Sequence, residues 1–267
     1  MGNILGCGAK SDVATSSTEK KAVEGAEPKK EANTPVELAK EPDVIVWGMP
    51  PSANSSVVRA FLAASDLVVK EENAWGKTRT PEYIAKFPTN LTPAIECEGK
   101  YISECVVVLK FLCRAYPDKF GKYYPESDLV KVTTIDWICD YISTGVLAQL
   151  PKAVYPTLGF SLYAGDVGAM ESTKQHTEEA AAAASACILE ILETKYIGIF
   201  LANTKYLMSN EPTIADYRFA PMINFIKVAC KVPKKLQQYY DEMEKLPGFK
   251  EACQPVVDFA SPHWKKT

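Results

Sequence analysis

Residues 87–96, with the sequence FPTNLTPAIE, and residues 103–112, with the sequence SECVVVLKFL, decide the fold of this chain. The first stretch predicts a strand that opens on Pro93, because a proline is tolerated at the first position of a strand, and it predicts a cis peptide bond after Thr92. The second predicts an amphipathic helix that begins at Glu104, and the first-turn amides of such a helix lack intrahelical acceptors. We therefore expect a peptide-like anion to bind between the exposed backbone of Thr92 and the start of this helix.

The chain around these stretches alternates between strand and helix signals. Short apolar runs bounded by turn residues indicate buried strands, and apolar residues at intervals of three and four indicate helices. The predicted elements, in order, are a strand at 44–47, a helix at 55–64, a strand at 68–73, a helix at 81–87, a hairpin at 94–102 and a helix at 104–116.

A polar linker at 117–125 separates this region from one with a helical pattern throughout. The alanine run at 180–184 favours a long helix through its intrinsic propensity. The predicted helices of this second region are 128–150, 171–202, 213–230 and 236–246. The pattern predicts an all-α domain.

The Pro93 loop followed by a helix that opens on Glu104 and Cys105 resembles the glutathione transferases, whose thioredoxin-like domain carries a cis-proline loop and then a Glu-Ser or Gln-Ser pair. Residues 206–217, YLMSNEPTIADY, resemble a helix start in that family's second domain. The resemblance covers about residues 43–260 and favours the serine-type, theta-like or zeta-like cytosolic members.

The resemblance implies an α/β thioredoxin-like domain at 43–116 and an all-α domain at 126–260, preceded by a disordered tether at 1–42. It also implies a glutathione transferase that conjugates the glutathione thiolate to small electrophiles, with glutathione as co-substrate and a homodimeric assembly. The alternative is a non-catalytic glutathione-transferase-like module that binds a ligand or a protein. Glutathione-dependent isomerisation or peroxide reduction stays open as well.

An enzyme that uses glutathione as a nucleophile must stabilise its thiolate, because an ordinary thiol is only a few per cent ionised at neutral pH. Serine-type members carry a serine four residues before an arginine of the first helix, and counting back from Arg59 gives Ser55. The other candidates in this loop are Ser52, Ser56 and Asn54, and Ser55 could also be a simple helix cap. Neither tyrosine nor cysteine occurs between positions 44 and 59, which argues against tyrosine-type and cysteine-type members and against dithiol exchange.

The resemblance assigns glutathione binding to Thr92, Pro93, Glu104 and Cys105. The backbone of Thr92 would pair with the cysteinyl part of the ligand as an added strand would. Cys105 stands where the family usually has serine, and a thiol is a weak hydrogen-bond donor, so we expect a weaker hold on the γ-glutamyl carboxylate.

Further residues are candidates on weaker grounds. Lys77 and Arg79 lie in a loop where the glycyl carboxylate is often held, although a solvated charge is the commoner explanation for such residues. The predicted walls of the electrophile pocket, which could instead be core residues, are Met49, Tyr155, Phe160 and Tyr163.

Two other motifs have structural interpretations. Thr213 and Asp216 have the spacing of a capping box, which predicts a stabilised helix start and no catalytic role. His176 and His263 are the only histidines, and they lack metal-ligand spacing, so we predict no metal site.

Composition and charge argue against two classes of function. The formal net charge is −3 and the pI is about 5.6, so no basic block is available to neutralise the phosphates of a nucleic acid. The eight cysteines lack paired spacing and lie mostly in apolar surroundings, which indicates reduced core residues and a cytoplasmic protein. No apolar run reaches the ~18 to 20 residues that a membrane span requires.

The first 42 residues differ from the rest in composition. Residues 8–42 are rich in Ala, Glu, Lys, Ser, Thr and Pro and contain no aromatic residue, which predicts disorder. The start, MGNILGC, resembles an N-myristoylation signal with Gly2 as acceptor and Cys7 as a palmitoylation site, although Gly6 replaces the usual Ser or Thr. One acyl chain gives only marginal membrane affinity, so attachment to the cytoplasmic face of a membrane would need Cys7 as well. The alternative is an unmodified extension.

Overall fold

A computed structural model describes residues 41–159 and 178–265 of the 267-residue chain. The predicted tether, with its proposed acylation sites Gly2 and Cys7, lies outside the described residues, and so do Phe160, Tyr163 and His176. The two described ranges belong to one compact unit that begins at Lys40.

A four-stranded sheet forms the first half of the described chain. Its strands are β1 (Val44–Gly48), β2 (Val69–Asn73), β3 (Ala94–Cys97) and β4 (Lys100–Ser103), in the order β2-β1-β3-β4. Strand β1 pairs in parallel with β2 and antiparallel with β3, and β3 pairs antiparallel with β4. This is the predicted thioredoxin-like sheet.

Three helices pack with this sheet: α1 (Ala53–Leu62), α2 (Pro81–Lys86) and α3 (Cys105–Ala115). The side chains of Val57, Phe61 and Leu109 are fully buried in the core that α1 and α3 share with β1 and β3. Helix α1 has Ser52 as its N-cap, whereas α3 begins without a side-chain cap after Glu104, which has a φ of 73°.

The remaining described chain is helical, as predicted. Its helices are α4 (Pro117–Phe120), α5 (Leu129–Thr144), α6 (Val146–Leu158), α7 (Glu178–Ile191), α8 (Ile214–Phe219), α9 (Ile223–Ala229), α10 (Lys234–Met243) and α11 (Phe249–Ala260). A π-helix at Leu192–Phe200 continues α7. None of the helices in the described ranges combines the length and the apolar content that crossing a bilayer requires.

Several predicted boundaries are wrong. The single helix expected at 128–150 is broken at Gly145, where a Cβ atom would lie 2.8 Å from the Tyr141 carbonyl oxygen, and α6 then continues to Leu158. The helix expected at 213–230 is divided by a 3₁₀ turn at Ala220–Met222, which contains a proline. The linker at 117–125 contains α4, and helix α11 was not predicted because Pro255 interrupts its helical pattern.

The predicted capping box at the start of α8 is confirmed. The Asp216 carboxylate accepts a hydrogen bond from the Thr213 amide at 2.7 Å, and the Thr213 hydroxyl oxygen accepts one from the Ala215 amide at 3.2 Å. The carboxylate also accepts from the Leu207 amide at 2.9 Å and from the Tyr239 hydroxyl at 3.2 Å. These bonds fix the start of a helix whose next residues face the sheet half of the molecule.

Candidate functional site

A cavity of about 730 Å³ lies between the sheet half and the helical half. The sheet half contributes the loop after β1, the starts of α1 and α3, the segment 75–79 and the loop before β3. From the helical half come Asp140, Ser143, Tyr155, Arg218 and Phe225. Polar groups from several elements therefore converge on one concave and partly apolar site, which is the usual form of a small-molecule site.

The loop before β3 has the predicted backbone geometry. The peptide bond between Thr92 and Pro93 is cis, and both residues line the cavity. The Tyr83 hydroxyl donates a hydrogen bond to the Leu91 carbonyl at 2.8 Å, which fixes the loop from the side of α2. The backbone of Thr92 is thus held at the cavity edge.

Glu104 and Cys105 also line the cavity. Glu104 is exposed, whereas Cys105 is buried with its Sγ atom 3.6 Å from the Asn54 carbonyl oxygen. Burial raises the pKa of the Cys105 thiol, and the charge of Arg218 opposes that effect. The thiol is therefore a neutral group at neutral pH, and the first-turn amides of α3 remain available to a ligand.

Ser55 does not reach this cavity. It lies in the first turn of α1 and is fully buried, and its hydroxyl oxygen accepts a hydrogen bond from the Met49 amide at 3.1 Å. The added Cβ of an alanine at Gly48 would lie only 3.0 Å from this oxygen, so the hydroxyl packs directly under β1. The expected thiolate-stabilising position of Ser55 does not match this geometry.

Ser52 is the serine of the loop after β1 that lines the cavity. Its hydroxyl oxygen accepts a hydrogen bond from the Ser55 amide at 3.2 Å, as an N-cap does, and its residue lines the cavity together with Asn54. Ser56 is fully buried and accepts a hydrogen bond from Arg59. Counting back from the arginine thus leads to a serine that is buried, whereas the N-cap serine three residues earlier lines the cavity.

Arg59 holds the loop that carries Ser52. Its guanidinium donates to the Met49 carbonyl at 2.8 Å and to the Pro50 carbonyl at 3.3 Å, and it pairs with the Glu71 carboxylate of β2 at 3.0 Å. The arginine is a structural anchor for the start of α1.

Arg218 is a cavity residue that sequence reasoning missed. It lies on α8 and is only 7% exposed, and its Nη1 atom donates to the Asn54 side-chain oxygen at 2.7 Å. Its Nε atom has no hydrogen-bond partner within the described ranges. The signal in the sequence is an arginine inside the otherwise apolar run YRFAPMI at 217–223, directly after the capping box.

The structure places some of the weaker candidates at the cavity and one outside it. Arg79 is exposed and lines the cavity, and Met49 and Tyr155 lie in its wall as predicted. Lys77 is not part of the lining and lies 3.8 Å from the Glu72 carboxylate. Across residues 41–159 and 178–265, no group of three or more His, Cys, Asp or Glu side chains is arranged to hold a metal ion.

Comparison with known proteins gives a match to the sheet half. A sequence model described as "Glutathione S-transferase, N-terminal domain" matches residues 46–120. This range contains the candidate residues of β1, α1, the loop before β3 and α3.

Two curated relatives have a different description. Elongation factor 1-gamma 1 of Oryza sativa subsp. japonica is 28% identical to this chain over 170 residues. Elongation factor 1-gamma 2 of the same organism is 27% identical to it over 218 residues. The matches cover 61% and 77% of this chain but 36% and 47% of the relatives. The chain spans less than half the length of the curated relatives that it matches.

Solved structures resemble the whole arrangement of sheet and helices. Human glutathione-S-transferase T1-1 in its apo form has a TM-score of 0.67 at 19% identity, with 82% of this chain and 91% of that chain covered. The theta class glutathione S-transferase of Xanthomonas axonopodis pv. citri with glutathione bound has a TM-score of 0.65 at 16% identity, with 81% and 100% covered. The chain has the glutathione transferase fold.

Within this glutathione transferase fold, the residues that the sequence singled out separate into two groups. Thr92, Pro93, Glu104 and Cys105 are brought together at one cavity, and Ser55 is not. Arg218 joins the site from the helical half, so the cavity is completed by a residue far from the others in sequence.

Proposed function

We propose that this chain is a serine-type glutathione transferase in which Ser52, rather than Ser55, stabilises the glutathione thiolate. One observation carries the proposal: the Ser52 hydroxyl, at the start of α1, opens onto the same cavity as the Thr92 backbone and the start of α3. A tripeptide thiol lying along Thr92 then has a hydroxyl donor within its reach.

The Ser52 hydroxyl has the hydrogen-bonding capacity for this role. Its oxygen accepts a bond from the Ser55 amide, so its own proton is free to donate to a ligand sulfur. The positive end of the α1 dipole adds a favourable field for an anion at this point. Both effects lower the pKa of a bound thiol, and the thiolate sulfur then attacks an electrophilic carbon while a leaving group departs or a proton is taken up.

The other site residues have binding roles in this proposal. The Thr92 backbone pairs with the cysteinyl part of glutathione, the Glu104 carboxylate with the ligand ammonium and the Cys105 amide with the γ-glutamyl carboxylate. The electrophile lies against the apolar walls formed by Met49, Tyr155 and Phe225.

We further propose a homodimer. Helices α3 and α5 are joined by the Lys110–Asp136 ion pair at 2.9 Å. Both helices expose large apolar side chains: Val107 is 52% exposed, and Leu129 and Val130 are each 77% exposed. Exposed apolar side chains on neighbouring helices favour an interface between copies. The cytoplasmic location and membrane attachment through Gly2 and Cys7 remain proposals from the sequence.

The second candidate function is a non-catalytic glutathione-transferase-like module that binds a ligand or a protein. The two rice relatives favour it, because their names describe an elongation factor and not a transferase. The presence of Cys105 in place of serine also favours weaker ligand binding.

A matched pair of serine variants tests the proposal. Conjugation of glutathione to a generic aryl chloride would be compared in the wild type, in Ser52→Ala and in Ser55→Ala. We expect Ser52→Ala to lower kcat/KM by about 100-fold, as loss of one donor to a developing anion does, while glutathione affinity changes little. Ser55→Ala removes a buried hydroxyl that accepts from Met49, so it lowers stability and keeps the activity.

The outcomes separate the two candidate functions. Retention of the wild type on immobilised glutathione without turnover would favour the binding module. Equal loss of activity in both serine variants, at equal folded fractions, would contradict the assignment of Ser52 as the residue that stabilises the thiolate.

A further inference from the structure

Arg218 is a buried cation without a counter-ion in the described structure. Its side chain lies in the wall of the cavity with 7% exposure, and its one hydrogen-bond acceptor is the neutral side-chain amide of Asn54. No carboxylate of the described residues lies within ion-pair distance of it. Burying an unpaired guanidinium costs several kcal/mol, so a residue of this kind calls for an anion that is present during function.

The nearest buried carboxylate along the chain is used elsewhere. Asp216 lies two residues before Arg218, and its oxygens accept hydrogen bonds from the Leu207 amide, the Thr213 amide and the Tyr239 hydroxyl. The two acidic residues that line the cavity, Glu104 and Asp140, are exposed and form no ion pair with Arg218. The anion must therefore come from a ligand.

The start of α3 provides a second reason to expect an anion at this place. Helix α3 has 11 residues and begins without a side-chain cap, and Cys105 and Val106 of its first turn line the cavity. Asn54 connects this helix start to the arginine, because its side-chain oxygen is 3.9 Å from Cys105 Sγ and 2.7 Å from Arg218 Nη1. The uncapped amides and the guanidinium thus border the same part of the cavity.

We propose that Arg218 binds the α-carboxylate of the γ-glutamyl residue of glutathione, together with the first-turn amides of α3. This inference rests on the proposed function and adds to it the residue that recognises one end of the ligand. Arg218 supplies the hydrogen bonds that the Cys105 thiol is too weak a donor to give. The glycyl carboxylate is left to the exposed Arg79, which also lines the cavity.

Three ligands and one variant test this role by calorimetric titration. They are glutathione, γ-aminobutyryl-cysteinyl-glycine, which lacks only the α-carboxylate, and S-methylglutathione, which keeps both carboxylates but has no ionisable thiol. We expect the wild type to prefer glutathione over the γ-aminobutyryl analogue by about 10- to 100-fold, as a charge-assisted hydrogen bond does. In Arg218→Gln this preference should fall by about tenfold, and the affinity for S-methylglutathione should fall by the same factor as that for glutathione.

Two results would overturn the inference alone. The first is an unchanged preference for glutathione over the γ-aminobutyryl analogue in Arg218→Gln. The second is a loss of affinity for glutathione without a loss for S-methylglutathione, because the arginine would then act on the thiolate. Failure of the wild type to bind any of the three ligands would overturn the proposed function as well.

A second variant keeps the test decisive if Arg218→Gln does not fold. Arg218→Lys keeps the charge and loses the two-pronged geometry, so we expect its preference between glutathione and the γ-aminobutyryl analogue to fall by about threefold. A preference equal to that of the wild type would count against the inference.

Discussion

Arg59 and Arg218 are two arginines of nearly equal burial with opposite surroundings. They are 8% and 7% exposed and lie on α1 and α8, and of the two Arg218 lines the cavity. Arg59 donates to two carbonyl oxygens and one serine hydroxyl and pairs with Glu71, whereas Arg218 donates to one amide oxygen. Burial alone therefore does not distinguish a structural arginine from a ligand-binding one. The number of hydrogen-bond acceptors that the protein offers to the guanidinium does distinguish them.

The largest expected effect comes from removing the well-partnered arginine. Arg59→Gln removes the donor of the Pro50 carbonyl, leaves the Met49 carbonyl with the Ser52 amide, and leaves the Glu71 carboxylate without its ion pair; a buried polar group without a partner costs about 1–3 kcal/mol. We expect the free energy of unfolding in urea to fall by about 3 kcal/mol. Conjugation activity should fall as well, because the same loop carries Ser52. A fall of less than 1 kcal/mol would mean that the two arginines do not differ in structural role.

A second prediction concerns Asp216 and tests whether Arg218 is its counter-ion. Burial raises the pKa of the Asp216 carboxyl to about 6 from its ordinary value of 3.8, against the hydrogen bonds that lower it. The folded state therefore binds more protons than the unfolded state between these two values, and its stability falls as the pH rises through this window. Relative to Asp216→Asn, we expect the wild type to lose about 2 kcal/mol of unfolding free energy between about pH 4 and pH 6.5.

A stability that rises with pH in this window would contradict the contrast between Arg59 and Arg218. An arginine acting as counter-ion would hold the pKa of Asp216 below its ordinary value, and acid would then destabilise the wild type relative to Asp216→Asn. Denaturant titrations of both proteins at several pH values measure the sign directly.

The smallest expected effect is that of Arg218→Gln on the ligand-free protein. Glutamine removes the cost of a buried charge without a counter-ion, but it also loses packing volume and part of the hydrogen bonding to Asn54. These effects oppose each other, so we expect the free energy of unfolding to change by less than about 1 kcal/mol. The matched variant is Arg59→Gln, measured under the same conditions. A loss as large as that of Arg59→Gln would assign Arg218 a structural role.

The sheet, the loop before β3 and the capping box were predictable from sequence because each depends on local signals. Pro93 fixes the start of β3, Gly99 the hairpin, and the Thr213–Asp216 spacing the start of α8. The turn at Gly145 was missed because the apolar periodicity continues across it, and α11 because Pro255 has the appearance of a helix end.

The candidate site was only partly predictable, for a different reason. A serine that caps α1 and a serine one turn later have the same sequence signal, and only the packing under β1 separates Ser52 from Ser55. The position of Arg218 at the cavity depends on its hydrogen bond to Asn54, which lies 164 residues earlier in the chain. A local sequence pattern cannot reveal a contact between residues so far apart.

The hydrogen bond between Asn54 and Arg218 has a consequence for how the protein can be divided. A fragment that ends after α3 would retain Ser52 and Thr92 but would present an incomplete binding surface. Exchanging the helical half for that of a related chain would transplant or delete the guanidinium without altering any residue of the sheet half. Ligand preference in chimeras of this protein should therefore follow the origin of α8.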